Sequence, residues 1–151
     1  MFRGISQITM DAKGRVALPT QHRKRLQQFC GGQIVVTVHT QRKCLMVYPL
    51  PTWEQIESSL LSLQRSDPSS SAAMRMVVAH ATDFELDDTA RIVVPQKLRE
   101  RCNLSKALVL VGSVDRFELW SEAEWDKHSE AEFGVLCDPD IVSDDVLNLG
   151  V

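Results

Sequence analysis

The chain has 151 residues, of which 44% are hydrophobic and 25% are charged, as in ordinary globular proteins of one or two small domains. No stretch approaches the roughly 20 consecutive apolar residues that cross a bilayer, so no membrane span is predicted. The four cysteines form no C-x-x-C pair, and reduced thiols in the cytosol are the simplest interpretation. The net charge of −3 is unevenly distributed: residues 1–50 contain eight Lys or Arg and one acid, whereas residues 114–151 contain two basic residues and eleven acids. This asymmetry is typical of a protein with a nucleic-acid face, although charges scattered over a solvated surface give the same count.

The first part of the chain predicts two β-hairpins, each followed by a helix. Asp11 and Gly14 bound a tight turn, because an Asp carboxylate accepts backbone N–H groups and a three-residue hairpin loop needs a residue with positive φ. Leu26 and Phe29 form the inward side of the first helix. Thr52 begins a capping box ahead of the second helix, together with the Gln three residues later. The predicted strands cover residues 5–10, 15–18, 34–38 and 44–48, and the predicted helices cover residues 20–29 and about 52–63.

A Ser-rich stretch, residues 66–71, separates this part from the rest of the chain. It is either a linker or the beginning of another helix, with Asp67 as the N-cap and Pro68 at the first helical position. The good helix formers from Ala72 to His80 favour the helix.

The sequence then repeats. Residues 87–101 match residues 11–25 at a constant offset of 76, with five identities in fifteen positions. The identical pairs are Asp11 and Asp87, Arg15 and Arg91, Pro19 and Pro95, Arg23 and Arg99, and Arg25 and Arg101. The second set of predicted elements comprises strands at 84–86, 91–94, 107–111 and 117–120, a helix at 95–102 and a helix capped by Ser121 and Glu124. Half of this chain is too short to close a core, so we expect the two halves to pack about a pseudo-twofold axis.

The chain shows no arrangement typical of catalysis. Its four histidines lie in unrelated contexts, and no nucleophile elbow, Walker loop or G-x-G-x-x-G is present. His39 and Cys44 face each other across a predicted hairpin, but a single pair of this kind is more often incidental than a metal site. The sequence thus predicts a protein that is not an enzyme, with no catalytic residue, metal or cofactor.

The hairpin tip from Asp11 to Arg15 carries the strongest indication of DNA binding. Arg15 offers a planar fork for a guanine edge, Lys13 offers a point charge for a phosphate, and Asp11 holds the turn and orients the arginine. The alternative is that the two residues form only a surface ion pair, worth about 0–1 kcal/mol. The recurrence of the same two residues at the offset of 76 argues against this alternative. The basic run at 23–25 is more often a solvated helix face.

Several motifs together resemble the MraZ family of bacterial transcriptional regulators. The resemblance covers the chain except for its tail, and the motifs agree in order and spacing. They are Met1-Phe2-Arg3-Gly4, Asp11-x-Lys13-Gly14-Arg15, Leu18-Pro19, Cys44-Leu45-Met46-Val47-Tyr48-Pro49-Leu50-Pro51-x-Trp53-Glu54, Asp87-x-x-x-Arg91 and Phe117-Glu118-Leu119-Trp120.

The resemblance implies an α+β, β-rich fold in which two pseudo-symmetric, swapped-hairpin AbrB-like repeats form a small barrel with flanking helices. We expect the first repeat with its helix at residues 1–65, a connecting linker or helix at 66–80, and the second repeat with its helix at 81–132. Residues 133–151 are rich in Gly, Pro, Asp and Ser and are expected to form a loosely held acidic tail.

The resemblance also implies a function. It predicts a sequence-specific DNA-binding transcriptional regulator, usually a repressor, that binds short direct repeats in the promoter of the division and cell-wall gene cluster, including its own gene. The expected partners are double-stranded DNA with tandem short repeats and other copies of the chain in a ring of many subunits. Neither a membrane nor a small-molecule substrate is expected, and the location is cytoplasmic and nucleoid-associated. The residues expected at the DNA are Arg15, Lys13, Gly14, Asp11, Arg3, Arg91 and Asp87.

The second loop departs from the first. Ala90 stands where the first loop has Gly14, and because Ala resists positive φ we expect a turn of different shape. Asp88 and Thr89 replace an alanine and a lysine, which makes the tip more acidic. We therefore expect the first loop to be the main DNA contact.

Two other interpretations stay open. One is a ring-forming interaction module, similar to the AbrB-type antitoxins, whose acidic tail binds a protein. The other is a small cytosolic enzyme, which would need a ligand or metal in a deep polar pocket. Strongly salt-dependent binding to promoter DNA favours the regulator.

Overall fold

The computed structural model covers residues 1–151 and contains eight strands and six helices. The strands are β1 (Ile5–Thr9), β2 (Arg15–Ala17), β3 (Gln33–Val38), β4 (Leu45–Pro49), β5 (Thr82–Glu85), β6 (Arg91–Val93), β7 (Ala107–Ser113) and β8 (Arg116–Ser121). The helices are α1 (Thr20–Cys30), α2 (Leu50–Leu61), α3 (Pro68–Ala79), α4 (Gln96–Arg101), α5 (Glu122–Cys137) and α6 (Asp144–Leu147). None of the helices is both long and apolar enough to span a membrane.

Six strands form one antiparallel sheet in the order β1-β7-β8-β4-β3-β5. The first strand of each half pairs with the third strand of the other half. Ile8 in β1 faces Leu108 in β7, and Phe84 in β5 faces Ile34 in β3. The strands β4 and β8 meet in the middle of the sheet. Each half therefore contributes strands to both ends of one shared sheet.

The strands β2 and β6 pair only with each other, in a separate two-stranded antiparallel sheet that we call the ribbon. Val16 faces Ile92 at its centre, and both side chains are fully buried. Pro19 and Pro95 follow the two strands and lead into α1 and α4, because proline cannot extend a ladder but is tolerated at the start of a helix.

Alternating side chains give the large sheet two apolar faces. In β3, Ile34 and Val36 belong to a core cluster of 21 buried residues, whereas Val35 between them belongs to a second cluster of 7, as the two-residue period of a strand requires. The larger cluster joins the sheet to the ribbon, α1 and α4. The smaller cluster contains Trp53 and Trp120 and lies under α2, α3 and α5. The ribbon and these helices therefore cover opposite faces of the sheet.

The expected α+β, β-rich class is confirmed, but the expected small barrel is not formed. The strands β1 and β5 are the two edges of the large sheet and do not pair with each other. An isolated bridge between Met10 and Val16 connects β1 to the ribbon. The ribbon thus covers the core by packing against one face of the open sheet. The core is therefore enclosed without the continuous ring of strand hydrogen bonds that a closed barrel has.

Two predicted helix caps are confirmed. Asp67 caps α3 by accepting the N–H of Ser70 at 2.8 Å. Ser121 caps α5 by accepting the N–H of Glu124 at 3.1 Å. The reciprocal bond of a capping box is not formed, and the Glu124 carboxylate instead accepts from Asn103 Nδ2 at 3.0 Å. In both helices a side-chain oxygen satisfies one of the N–H groups that the first turn leaves without a partner.

Two predictions about the first half are wrong. Thr52 is not an N-cap, because α2 already begins at Leu50, and its hydroxyl instead donates to the carbonyl of Asp115 at 3.4 Å. Phe29 does not point inward and is 58% exposed. The buried side of α1 passes through His22, which is 1% exposed, because the helix presents its i and i+4 positions to the core.

The tail is more helical than predicted. Helix α5 continues to Cys137, and α6 forms a further turn in the last part of the chain. Neither helix contains a fully buried residue, and Phe133 is 68% exposed. The tail therefore extends from the core with apolar side chains uncovered.

Candidate nucleic-acid interface

The first loop (residues 11–15) connects β1 to β2 through a turn that Asp11 holds. Its carboxylate accepts the N–H of Lys13 at 3.0 Å and that of Arg15 at 2.9 Å, and Arg15 Nε donates to its second oxygen at 2.6 Å. These bonds, above all the one from the Arg15 backbone, hold the pKa of Asp11 below its ordinary value. The Arg15 side chain is 45% exposed and is bound through Nε, so its two terminal amino groups remain available to a ligand.

The second loop (residues 87–91) uses the corresponding carboxylate differently. Asp87 accepts the N–H of Thr89 at 2.8 Å, the hydroxyl of Thr89 at 2.6 Å and the N–H of Ala90 at 3.1 Å. The Thr89 hydroxyl is the main reason that the pKa of Asp87 lies below its ordinary value. Arg91 forms no ion pair, so its guanidinium is exposed without the carboxylate partner that Arg15 has.

The fourth residue of each loop has left-handed backbone, with φ of +82° at Gly14 and +49° at Ala90. The expected difference in turn shape is therefore absent at this position. Ala90 adopts the conformation because Asp87 binds its N–H and its methyl group is fully buried in the core. Gly14 is more restricted, since a Cβ there would lie 2.6 Å from the carbonyl oxygen of Val94.

Each loop is hydrogen-bonded to the other half of the chain. The N–H of Val94 donates to the carbonyl of Gly14 at 2.9 Å, and the N–H of Leu18 donates to the carbonyl of Ala90 at 3.0 Å. The two donor residues are 76 positions apart in the sequence, and so are the two acceptor residues. The loops are therefore related by the pseudo-twofold axis and lie at the two ends of one ribbon.

The outer face of the ribbon carries both loop arginines. Alternation along β2 and β6 buries the central residue of each strand and leaves its first and last residues exposed. Arg15 stands opposite Val93, and Arg91 stands opposite Ala17. The two arginines are thus diagonal neighbours across the two strands on one face, which places their backbones about 7–8 Å apart.

Two helix arginines also reach the loops. Arg23 of α1 donates to the carbonyl of Asp88 in the second loop, and Arg99 of α4 donates to the carbonyl of Ala12 in the first loop at 3.4 Å. These contacts differ from the solvated helix face predicted for the basic run at 23–25. The available signal in the sequence was the identity of Arg23 and Arg99 at the offset of 76.

Arg3 lies elsewhere. It precedes β1, and the extended chain from Arg3 to Asp11 spans about 25 Å. Its backbone packs against Gly112, and it lines a cavity together with Arg25 and Asp115. The structure thus brings six of the seven residues predicted at the DNA into the two loops, but not Arg3.

His39 and Cys44 lie in different environments. His39 Nδ1 accepts the N–H groups of Gln41 and Arg42 at 3.0 and 3.1 Å and so holds the turn between β3 and β4. Cys44 is fully buried, and burial raises the pKa of its thiol. No group of three His, Cys, Asp or Glu side chains is placed to hold a metal ion.

Comparison with known proteins covers almost the whole chain. The family described as "MraZ protein, putative antitoxin-like" matches residues 1–76 and again residues 77–134. The chain belongs to the MraZ family. The two matched stretches begin 76 residues apart, which is the offset of the internal repeat, so the resemblance drawn from the motifs is confirmed.

Similar bacterial proteins support the assignment to this family. A protein named "Transcriptional regulator MraZ" from Alkalilimnicola ehrlichii is 44% identical over 127 residues, which cover 84% of this chain and 85% of that protein. A protein with the same name from Pseudomonas putida strain W619 is 40% identical over 149 residues, 99% of both chains. The MraZ family to which this chain belongs is therefore one of transcriptional regulators.

Proposed function

We propose that the chain is a sequence-specific DNA-binding repressor. It binds short direct repeats in the promoter of the bacterial division and cell-wall gene cluster, including that of its own gene. The observation that carries this proposal is the reciprocal pair of loops at the ends of one ribbon, each presenting an exposed arginine beside a turn that a carboxylate holds. Because chromosomal DNA is the proposed partner, the proposed location is cytoplasmic and nucleoid-associated.

The dimensions of the ribbon support entry into the major groove. The major groove of B-DNA is about 12 Å wide and admits a two-stranded β-ribbon, whose strands lie about 4.8 Å apart. With the buried residues of the ribbon facing the core, Arg15 and Arg91 face outward. A ribbon lying along the groove would place both guanidinium groups against base edges or the flanking phosphates.

Arg15 is the proposed base-reading residue. Asp11 binds its Nε, which leaves the two terminal amino groups to donate to O6 and N7 of a guanine. A guanidinium that is already held loses less side-chain freedom on binding. Lys13 is exposed on the same loop and is the proposed phosphate contact, while Gly14 supplies the positive φ that closes the turn.

The second loop is proposed to make the weaker contact. Arg91 lacks the carboxylate that orients Arg15, so it is proposed to contact a phosphate and not to read a base. Asp88 is exposed on the same loop, and its negative charge opposes the approach of the phosphate backbone. Asp87 is proposed to act on DNA only indirectly, by holding the turn.

We also propose that the two halves are AbrB-like swapped-hairpin repeats, at residues 1–65 and 81–132, joined by residues 66–80. The pairing of β1 with β7 and of β5 with β3 supports this, because each half gives its first strand to the other half. The reciprocal bonds between the loops support it as well.

A ring of several subunits is proposed as the DNA-binding form. One ribbon covers only a few base pairs, so tight binding requires several subunits that meet several repeats at once. Uncovered apolar surface supports contacts between copies. An open groove of about 710 Å³ between α2 and α3 is lined by Leu60, Leu61 and Val78, and Leu61 is 70% exposed. Phe133 in the acidic tail is a separate exposed apolar side chain.

The proposal is tested by fluorescence anisotropy with duplexes from upstream of the protein's own gene. One duplex keeps all of its short repeats, a second keeps a single repeat, and a third has the same composition in shuffled order. We expect the first to bind at least about 100-fold more tightly than the second, because avidity typically contributes 10²–10⁴. We also expect log K to fall linearly with log salt concentration.

A second candidate function is favoured by the tail and by the antitoxin-like description of the family. In the tail, acidic residues alternate along the sequence with exposed apolar side chains, which suits a protein partner. Equal binding to the repeat and shuffled duplexes, or no binding to either, would contradict the regulator proposal and leave this protein-binding module as the better account.

A further inference from the structure

We propose that Arg23 and Arg99 are positioning residues, and that the helix of each half holds the DNA loop of the other half in its binding shape. The claim about loop geometry rests on the contacts alone. Its consequence for DNA binding rests on the function proposed above.

Arg99 lies against the back of the first loop. Its Nη1 donates to the carbonyl of Ala12 at 3.4 Å. A Cβ built at Gly14 would lie 3.2 Å from both Cζ and Nε of Arg99, so the guanidinium plane packs directly on the turn. Arg99 Nε is itself buried and has no hydrogen-bond partner. An arginine that gives up solvent for one carbonyl of a loop is better explained by the shape of that loop than by a contribution to stability.

Arg23 makes the corresponding contact in the other direction. It belongs to the first half, yet it donates to the carbonyl of Asp88 in the second loop. Ala12 and Asp88 are 76 residues apart, as are Arg23 and Arg99. The two contacts are therefore copies related by the pseudo-twofold axis, and such a crossed pair is difficult to attribute to chance orientation of two surface side chains.

The contacts complement the carboxylates inside each turn. Asp11 and Asp87 bind the N–H groups of their loops from within, whereas the arginines bind carbonyls that the turns leave without a backbone partner. An arginine suits this role because its guanidinium can donate from several nitrogens and still pack flat on the backbone. Loosening either helix arginine should therefore free the loop of the opposite half, while the loop that adjoins its own helix keeps its shape.

Hydrogen–deuterium exchange of the full-length protein tests this crossed relation without DNA. In Arg99→Gln we expect the amides of residues 12–15 to exchange about three- to tenfold faster, with those of residues 88–91 unchanged. In Arg23→Gln we expect the reverse. This range is that of a hydrogen bond from a charged donor, reduced for its exposure to solvent. Lys24→Gln and Lys97→Gln remove the same charge from exposed positions of the same helices and should leave both loops unchanged.

Three outcomes of the exchange experiment would overturn the proposal: faster exchange in the loop of the same half, equal change in both loops, or no change. The buried amide of Leu110 serves as the check on global stability. If it accelerates as well, the conservative variants Arg23→Lys and Arg99→Lys replace the Gln variants. With them, the crossed pattern should persist at smaller amplitude, and its absence would count against the proposal.

DNA binding separates positioning from direct contact. A positioning role predicts that Arg99→Gln binds the repeat duplex about tenfold more weakly, with an unchanged slope of log K against log salt. A direct phosphate contact would instead reduce that slope by about 0.9 per engaged subunit, and full affinity despite a loosened first loop would also reject positioning. If the wild type does not bind DNA, the proposed function fails, but the crossed exchange pattern still decides whether the arginines hold the loops.

Discussion

Substituting alanine for Gly14 tests the packing of the first loop against the opposite half. The residue has φ of +82°, which costs a residue with a Cβ roughly 1–3 kcal/mol. The added Cβ would also lie 2.6 Å from the carbonyl oxygen of Val94. This clash is with a backbone atom, so the rotation of a side chain cannot relieve it. The loop must shift, which weakens the bond from Val94 N–H to the Gly14 carbonyl, worth about 1 kcal/mol. We expect Gly14→Ala to lower the free energy of unfolding by about 2–4 kcal/mol.

The matched control is the reverse change in the second loop. Ala90 already has positive φ, so Ala90→Gly relieves strain of about 1 kcal/mol but loses a buried methyl group worth about 0.8 kcal/mol. The two effects nearly cancel, and we expect a change within about 1 kcal/mol. Both variants are compared with the wild type by urea denaturation at one protein concentration, because assembly affects apparent stability. If Gly14→Ala costs no more than Ala90→Gly, the close approach of Gly14 to Val94 does not exist in solution.

Two further predictions concern charge and pH. Thr89 in the second loop corresponds to Lys13 in the first, so Thr89→Lys gives the second loop the cation that it lacks. We expect this variant to steepen the slope of log K against log salt by about 0.9 per engaged subunit, and Lys13→Thr to make the slope shallower. An unchanged slope in Thr89→Lys would place the second loop away from DNA. Burial lowers the pKa of His22 from 6.5, so the unfolded chain takes up its proton at higher pH than the folded chain does. The contribution of His22 to stability should therefore be lost as the pH falls below about 6.5, by at most about 1.4 kcal/mol per pH unit. His39, whose pKa burial also lowers, adds a contribution of the same sign. His22→Leu copies Leu98, the residue at the matching position, and should reduce this slope in urea denaturation between about pH 5 and 7.5; an unchanged slope would mean that His22 is solvated.

The internal repeat made the pseudo-symmetry and the two loops predictable from sequence. Local chemistry was sufficient there, because an acid, a turn residue and an arginine at fixed spacing specify a hairpin tip wherever the strands go. The caps at Asp67 and Ser121 were predictable for the same reason, since each depends on residues within one helical turn.

Features that depend on distant parts of the chain were not predictable. The contacts of Arg23 and Arg99 join residues 65 and 87 positions apart, so no local pattern contains them. The open sheet depends on how β1 and β5 are placed by the opposite half, which the strand pattern does not specify. In α1, a buried polar residue, His22, takes the place that hydrophobicity assigned to Phe29, because the direction of the inward face depends on what the helix packs against.

The central claim is that Arg15 reads bases from the tip of the first loop, and the most direct test compares Arg15→Ala with Lys43→Ala. Both variants lose one positive charge, but Lys43 is exposed in the turn between β3 and β4, outside both loops and three strands away from β1 in the large sheet. Anisotropy with the repeat duplex and the shuffled duplex should show that Arg15→Ala loses discrimination between them, by about 1–3 kcal/mol per engaged subunit. Lys43→Ala should bind like the wild type. If Arg15→Ala keeps its preference for the repeat duplex, Arg15 forms only a surface ion pair with Asp11, and the hairpin-tip account is wrong.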